Sequence, residues 1–543
     1  MAGIPCGVRA LLLILFFVCD SSQYKSPHII FIVADDLGFN DVGFHGSGQI
    51  PTPNIDALAY SGLILNKYYV NPICTPSRSA LMTGKYPIRT GMQHTVLFGA
   101  EPRGLPLSEK ILPQYLRELG YVNRIVGKWH LGSWRKEYTP LYRGFQSHLG
   151  YWTGHQDYFD HIAMENGQWG LDMRRNLSVA YDLHGKYSTD IFTEEAVKII
   201  KEHNQEHPLF LYMAHAAVHS GNPYNPLPVL DADVMKINDI DDYNRRRFAA
   251  MMSKLDQSVG EVVKALQDQD MLKNSIIVFT TDNGGPAAGF NLNAASNYPL
   301  RGVKNTLFEG GVRGAGLVWS PLIKKPSRVS NQFMHIVDWL PTLLEAATGD
   351  ITNITNLDGV SIWKSLSLDQ SSPRTEVLHN IDDIYGNAAI TIDEWKLVQG
   401  STYSGQWDFW YGPDGRNYPY NITLVQESLS GKALESINRG TPESTITKLR
   451  EEATVICNNS RIISCNAIEK PCLFDIISDP CEYQNFAEKY PHIVEKLQTR
   501  LKEYNATAIP PGNLPLDERG NPKYWNYVFT NFGDYDTNSI ILI

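Results

Sequence analysis

HIIFIVADDLG (residues 28–38) carries an unbroken apolar run from Ile29 to Ala34, followed by two adjacent aspartates, Asp35 and Asp36. An unbroken run of this length, instead of an alternating one, reads as a strand covered on both faces, as in parallel sheets. The same form recurs in NRIVGKWHLG (123–132), PLFLYMAHAAVHS (208–220), SIIVFTTDNGG (275–285) and GAGLVWSP (314–321). Helical patterns lie between these runs. Residues 246–269 place Phe248, Met251, Met252, Leu255, Val259, Val262 and Leu266 at three- and four-residue steps, and residues 188–203 open on a Ser/Thr cap candidate. Strands alternating with helices predict an α/β fold built on a large, mostly parallel sheet.

Four of these runs end in chemistry. The first ends in Asp35 and Asp36, the second in Lys128 and His130, the third in His219, the fourth in Asp282 and Asn283. Open α/β sheets bind ligands outside the carboxyl ends of their strands, so these side chains are expected to share one site. Asp35, Asp36, Asp282 and Asn283 are hard oxygen donors of the kind that hold Ca²⁺ or Mg²⁺ in preference to zinc. Adjacent aspartates in an apolar sheet need such a cation, or protons, to coexist. Arg78, Lys128, His130, His219 and Lys304 supply the opposite charge. A metal with several cationic donors suits an anionic tetrahedral ester.

The chain has 543 residues with a net charge of -10, an acidic balance that disfavours nucleic acid as a partner. Arg9 followed by LLLILFFV (11–18) and small polar residues has the layout of a secretory signal peptide, residues 1–22, too short to span a bilayer. No later stretch is long and apolar enough to do so, and a soluble exported protein is expected. Five N-x-S/T sequons, at Asn176, Asn353, Asn421, Asn458 and Asn505, fit that route.

After about residue 380 the pattern changes to short strand-like pieces such as EWKLVQG (394–400) and CLFDI (472–476), then an amphipathic helix at 491–504. We expect a catalytic α/β domain at 23–380 and a smaller C-terminal α+β domain at 381–543. Of seven cysteines, Cys457, Cys465, Cys472 and Cys481 cluster in the latter. They are expected to form two disulfides, with three pairings open. Cys74 is left alone in NPICTPSRSALMTG (71–84). An unpaired thiol in an exported chain is expected to be oxidised, paired between chains or chemically altered. Its distance to Arg78 does not match the thiol-based phosphatase loop.

CTPSR followed by SALMTG (74–84) resembles the signature of the sulfatase family, in which this cysteine is oxidised to Cα-formylglycine. ADDLGFNDVGFHG (34–46), VGKWHLG (126–132), TDNGG (281–285) and PLRGVKNTLFEGGVRG (299–314) resemble further sulfatase blocks, and the likeness runs from Pro27 to about Leu501. The last block, YSTDIFT (187–193) and HIVDWLPTLL (335–344) resemble the arylsulfatase B branch, whose vertebrate member removes the 4-sulfate of N-acetylgalactosamine in dermatan and chondroitin sulfate.

The resemblance implies an alkaline-phosphatase-like fold with a short antiparallel sheet in the C-terminal domain. It also implies maturation by the formylglycine-generating enzyme, one Ca²⁺, and a lysosomal or extracellular destination. Position by position it assigns Asp35, Asp36, Asp282, Asn283 and residue 74 to the metal. Arg78 and Lys128 hold the aldehyde hydrate, and His130 takes up its proton. Lys128, His219 and Lys304 contact the sulfate, with His219 protonating the leaving oxygen. One hydroxyl of the hydrate attacks sulfur to give a sulfo-enzyme, and the second allows sulfate to leave. A serine would lack that exit.

The chain departs from the vertebrate arylsulfatase B pattern at 96–107 and 135–145, where it has no cysteines. These loops are expected at the pocket mouth, which leaves the substrate open between a glycosaminoglycan sulfate and a small sulfate such as an aryl sulfate or glucosinolate. Trp134, Tyr151, Trp152, Trp407 and Trp410 are candidates for stacking on the leaving group. A phosphatase on the same fold and a non-catalytic sugar-binding paralogue are the competing classes.

Overall fold

The computed structural model describes residues 26–348, 351–352, 354–457 and 462–535. The expected signal peptide and the sequons Asn353 and Asn458 lie outside the described residues; Asn176, Asn421 and Asn505 are exposed. Among the described residues no helix is long and apolar enough to cross a membrane.

Ten strands form the main sheet: β1 (His28–Ala34), β2 (Leu63–Leu65), β3 (Val122–Lys128), β4 (Ser147–Tyr151), β5 (Arg174–Arg175), β6 (Ser178–Val179), β7 (Leu209–Ala214), β8 (Ser275–Thr281), β9 (Gly316–Trp319) and β10 (Arg328–Ser330). Their spatial order is β10-β2-β9-β8-β1-β7-β3-β4-β5-β6. The central five, β8-β1-β7-β3-β4, are all parallel, while β9 turns antiparallel at one flank and β5 at the other. The sheet is therefore mixed but mostly parallel.

The unbroken apolar run of β1 has a direct cause. Ile30, Ile32 and Ala34 enter one core, and Ile29, Phe31 and Val33 enter another on the opposite face. Alternate side chains of a strand point to opposite faces, so a strand covered twice must be apolar at every position. The first core is closed by α1 (Pro53–Ser61), α3 (Ser188–Lys201) and α4 (Tyr243–Asp268), the second by α2 (Cys74–Thr83) and α5 (Trp339–Thr348).

Helix α4 is capped by Asp242, whose side chain accepts from the Arg245 N–H at 2.6 Å. The cap expected at the start of α3 is absent. Ser188 Oγ instead donates to the Tyr158 carbonyl at 3.1 Å, a tertiary contact that outcompetes local capping.

A second, antiparallel sheet comprises β11 (Glu376–Asp382), β12 (Asn387–Ile392), β13 (Trp395–Gln399) and β14 (Cys472–Asp475). Leu378, Ile390, Leu397 and Leu473 on one face join the second core of the main sheet, together with Leu497 and Leu501 of α6 (Pro491–Asn505). Val377, Ala389, Val398 and Phe474 on the other face pack with Tyr69, Phe308 and Val312. Residues 422–453 add three short helices that return to α1 and α4 and bury Leu434, Ile446 and Leu449 in the first core. The pairing left open in the sequence is Cys457–Cys481 and Cys465–Cys472. Among the described cysteines only Cys74 is free, and it is buried.

Candidate active site

Parallel register delivers the ionisable strand ends to one edge. Ala34 pairs with Thr281 and Ala214 with Gly127, so Asp35, Asp282 and Lys128 emerge at nearly the same height. The chain after β7 is laced to this edge, Asp35 N–H donating to the Ala217 carbonyl at 2.9 Å and Val218 N–H to the Asp35 carbonyl at 2.8 Å. That lacing carries His219 into the site. Asp36 and His130 both have left-handed backbones, φ 64° and 57°. Non-glycine residues rarely adopt this conformation, and it clusters at functional sites.

Cys74 is the first residue of α2, with Ile73 extended before it. Ser77 clips the incoming loop to the helix, accepting from Asn71 N–H at 2.9 Å and donating to the Asn71 carbonyl at 3.1 Å. Thr75 Oγ1 accepts from Leu97 N–H at 3.1 Å and donates to the His130 carbonyl at 3.3 Å, joining three segments behind the thiol. The Cys74 thiol points at Asp35 Oδ1, 3.6 Å away.

Around it lies a buried charge array. Lys128 Nζ is 2.6 Å from Asp35 Oδ2, and Arg78 Nη2 is 2.8 Å from Asp282 Oδ2 and 3.7 Å from Asp35 Oδ2. Lys304 Nζ donates to Asp36 at 2.7 Å, Asn283 Nδ2 donates to Asp36 Oδ1 at 2.7 Å, and His219 Nε2 is 3.4 Å from Asp36 Oδ2. The ten residues singled out in the sequence, Asp35, Asp36, Cys74, Arg78, Lys128, His130, His219, Asp282, Asn283 and Lys304, thus meet in one place.

Electrostatics follow from burial and pairing. Burial opposes ionisation of Asp36, yet Lys304 and His219 overcome it and hold the carboxyl below its usual range. Burial pushes the Cys74 thiol up to about 12 despite the pull of Lys128 and Lys304. A cysteine used as a thiolate has a lowered pKa, so this thiol is poorly suited to act as a nucleophile itself. Burial, with Lys128 and Arg78, keeps His130 neutral; burial likewise lowers His219 to about 3 despite Asp36.

The donor set fits a metal ion. Donor atoms of Asp35, Asp36, Cys74 and His219 lie within 4.8 Å of one another. Asn283 Oδ1 is buried without a hydrogen-bond partner, a neutral oxygen that a metal ion could satisfy.

The cleft over the thiol has a volume of about 400 Å³. Of the aromatic candidates, Tyr151 and Trp152 are buried in the cores, Trp407 packs on Phe290, and Trp410 stacks near Arg301. Trp134 packs on Phe532. None lines the cleft. Val96 and Phe98 do, from the first of the two loops expected at the mouth, with His155, Met164, Glu165 and Leu292. Met164 and Glu165 close a short strand (Ile162–Glu165), Leu292 closes a single helical turn (Phe290–Leu292) and His155 lies in a loop; no sequence signal marked these four. Gly154 also lines the cleft, and a Cβ there would stand 2.8 Å from His130 Nε2, too close for any other residue to leave that ring in place.

Comparison with known proteins agrees with the geometry. The sulfatase family pattern matches residues 27–349. Arylsulfatase J of Mus musculus is 39% identical over 520 residues, covering 92% of this chain and 79% of its own. N-acetylgalactosamine-6-sulfatase of Homo sapiens is 33% identical over 364 residues, covering 64% and 67%. The crystal structure of Ps i-CgsB in complex with k-i-k-neocarrahexaose superposes with a TM-score of 0.70 at 25% identity, over 91% of this chain and 96% of that one. A buried oxygen-donor cluster closing on one unpaired cysteine, within a chain so matched, places this protein in the sulfatase family, as a sulfuric ester hydrolase.

Proposed function

We propose that Cys74 is matured to Cα-formylglycine by the formylglycine-generating enzyme and that the site hydrolyses sulfate monoesters with one Ca²⁺. The observation that carries this is the thiol itself: it heads a helix, 3.6 Å from Asp35, among buried cations, with a pKa raised out of nucleophilic use. The aldehyde, once hydrated, supplies a nucleophilic hydroxyl and a second one through which sulfate is released. Asp35, Asp36, Asp282 and Asn283 would hold the calcium, which supplies a fixed positive charge for the sulfate oxygens.

The chain's own groups do the rest. Lys128 and Arg78 keep positive charge against the residue-74 side chain, and the helix N-terminus adds its dipole. His130 Nε2 is engaged by the Leu97 carbonyl at 2.9 Å, leaving the buried Nδ1 without a partner and available to accept a proton. His219 Nδ1 is held by the Ser220 carbonyl at 2.7 Å, which turns Nε2 toward Asp36 and the cleft. An arriving sulfate favours the imidazolium there, so His219 can protonate the leaving oxygen. Lys304, paired with the same Asp36, lines the cleft and would bind the sulfate.

For the leaving alcohol, N-acetylgalactosamine 4-sulfate is the reading from the resemblance. A small sulfate ester is the second, favoured by the sparse charge of the cleft wall. The lysosome or the extracellular space is the destination that accompanies either.

Mass spectrometry of the peptide bearing residue 74, with assays on a chromogenic aryl sulfate and its phosphate analogue, tests the core of this. Formylglycine, sulfate turnover and its loss in Cys74→Ala and on chelation are expected. Unmodified cysteine in active exported protein, or preference for the phosphate, overturns it.

A further inference from the structure

Beyond residue 74 the cleft wall is formed by Phe98, Met164 and Leu292, with the amides of Asn166 and Asn291. Among the described residues lining it there is no arginine, and Lys304 is the one lysine. Its ammonium is committed to Asp36 at the floor, 2.7 Å away. The wall does carry one acid, Glu165. Its two oxygens are taken by backbone N–H groups, Gly99 at 2.6 Å and Gly154 at 3.1 Å, so no cation neutralises it through them.

This is an unusual lining for an enzyme that grips a polyanion. Charged chains are recognised by matched lysines and arginines along their path. An anionic group entering this wall would lose water to apolar side chains and, once Glu165 is ionised, meet a like charge.

We infer that the cleft selects sulfate esters whose leaving alcohol is uncharged, with Glu165 and the apolar wall at Phe98, Met164 and Leu292 rejecting leaving groups that carry a second anion. This rests on the sulfatase reading of the site given above. It predicts action on a terminal neutral sugar or a small neutral phenol or alcohol, and discrimination against a leaving group with a carboxylate or further sulfate beside the scissile ester.

The test compares two sulfates of closely similar phenols, 4-methylumbelliferone and 7-hydroxycoumarin-4-acetic acid, with matured full-length enzyme. At about pH 8 Glu165, which burial pushes up to about 7, is ionised. The neutral ester is expected to lead in kcat/KM by about tenfold or more, the scale of one close like-charge contact. Leu292→Lys, at an exposed wall position, is expected to narrow that ratio. Glu165→Gln should do the same, and the lysine variant decides the matter if the glutamine variant does not fold. Equal or faster cleavage of the carboxylated ester by the wild type, or an unchanged ratio in Leu292→Lys, overturns the inference. Cleavage of neither ester overturns the sulfatase reading itself, and the inference with it.

Discussion

Six ionisable side chains, Asp35, Asp36, Asp282, Arg78, Lys128 and Lys304, lie within one buried cluster, each with a partner of opposite sign. Such an array is expensive unless every member is paired, so function and not stability explains its presence. If His219 protonates the leaving oxygen, His219→Gln should lower kcat by about 10²–10⁴ for an alkyl sulfate, whose alkoxide leaves poorly. The loss should be far smaller for 4-nitrophenyl sulfate, whose phenolate needs no proton. Steady-state kinetics on the two esters check this, and equal losses would remove the proton-donor role. At this scale the metal-binding edge was readable, because parallel strands ending in Asp35, Lys128 and Asp282 must deliver them together. Cys74 stood out as an unpaired thiol and Lys304 as a cation, but their place in the site was readable only through motif resemblance, since a helix start and a loop carry no periodicity. Phe98 was readable only as part of the loop at 96–107, and His155 and Glu165 were not readable at all.

At the scale of elements, one buried lysine ties the small sheet to the short helix Glu309–Val312 that leads into β9. Lys396 of β13 reaches Glu309 Oε1 at 2.8 Å and Glu482 Oε1 at 3.0 Å, and Glu482 Oε2 accepts from Glu309 N–H at 2.8 Å. Lys396→Met would leave two carboxylates facing each other in a dry interface. It should lower unfolding stability by about 3–5 kcal/mol, the usual cost of breaking a buried pair from one side. Adding Glu482→Gln should recover part of it, and denaturant titration of the three proteins checks both statements. The strands at 394–400 and 472–476 were visible as short apolar pieces, but this tie was not, since Lys396 reads as a solvent-facing lysine when only its own strand is considered. The missing Ser188 cap has the same origin: a tertiary acceptor, Tyr158, took the hydroxyl.

For the molecule as a whole, buried titratable groups set a pH dependence with opposing parts. Burial lowers His45 and His215 to about 3 and His148 and His161 to about 4, and holds His335 and His379 well below their ordinary value. The unfolded chain therefore binds more protons at these six than the folded chain, so they lend stability that is present above about pH 6.5 and lost on acidification. Burial raises Asp56, Glu165 and Glu482 to about 7 and Asp256 to about 6. These four act in the other sense, losing stability as pH rises from about 4 toward 7. His130, His155 and His219 are lowered in the same sense as the six, so the histidines outnumber the four carboxyls held at about 6 to 7, and the thermal midpoint should rise between about pH 5 and 6.5. His215→Gln should flatten the rise and Glu482→Gln should steepen it, as differential scanning across that range would reveal. A midpoint that falls over this interval would contradict the assignment.

Cys74 has 2% of its surface exposed, sealed by the same helix start and strand ends that give it meaning. A second protein's active site has no route to a side chain so enclosed once the sheet has formed. If Cys74 is matured as proposed, covalent editing at that position would be a race during biogenesis between the editing enzyme and the collapse of the chain. A variant that folds sooner would emerge well formed and inert.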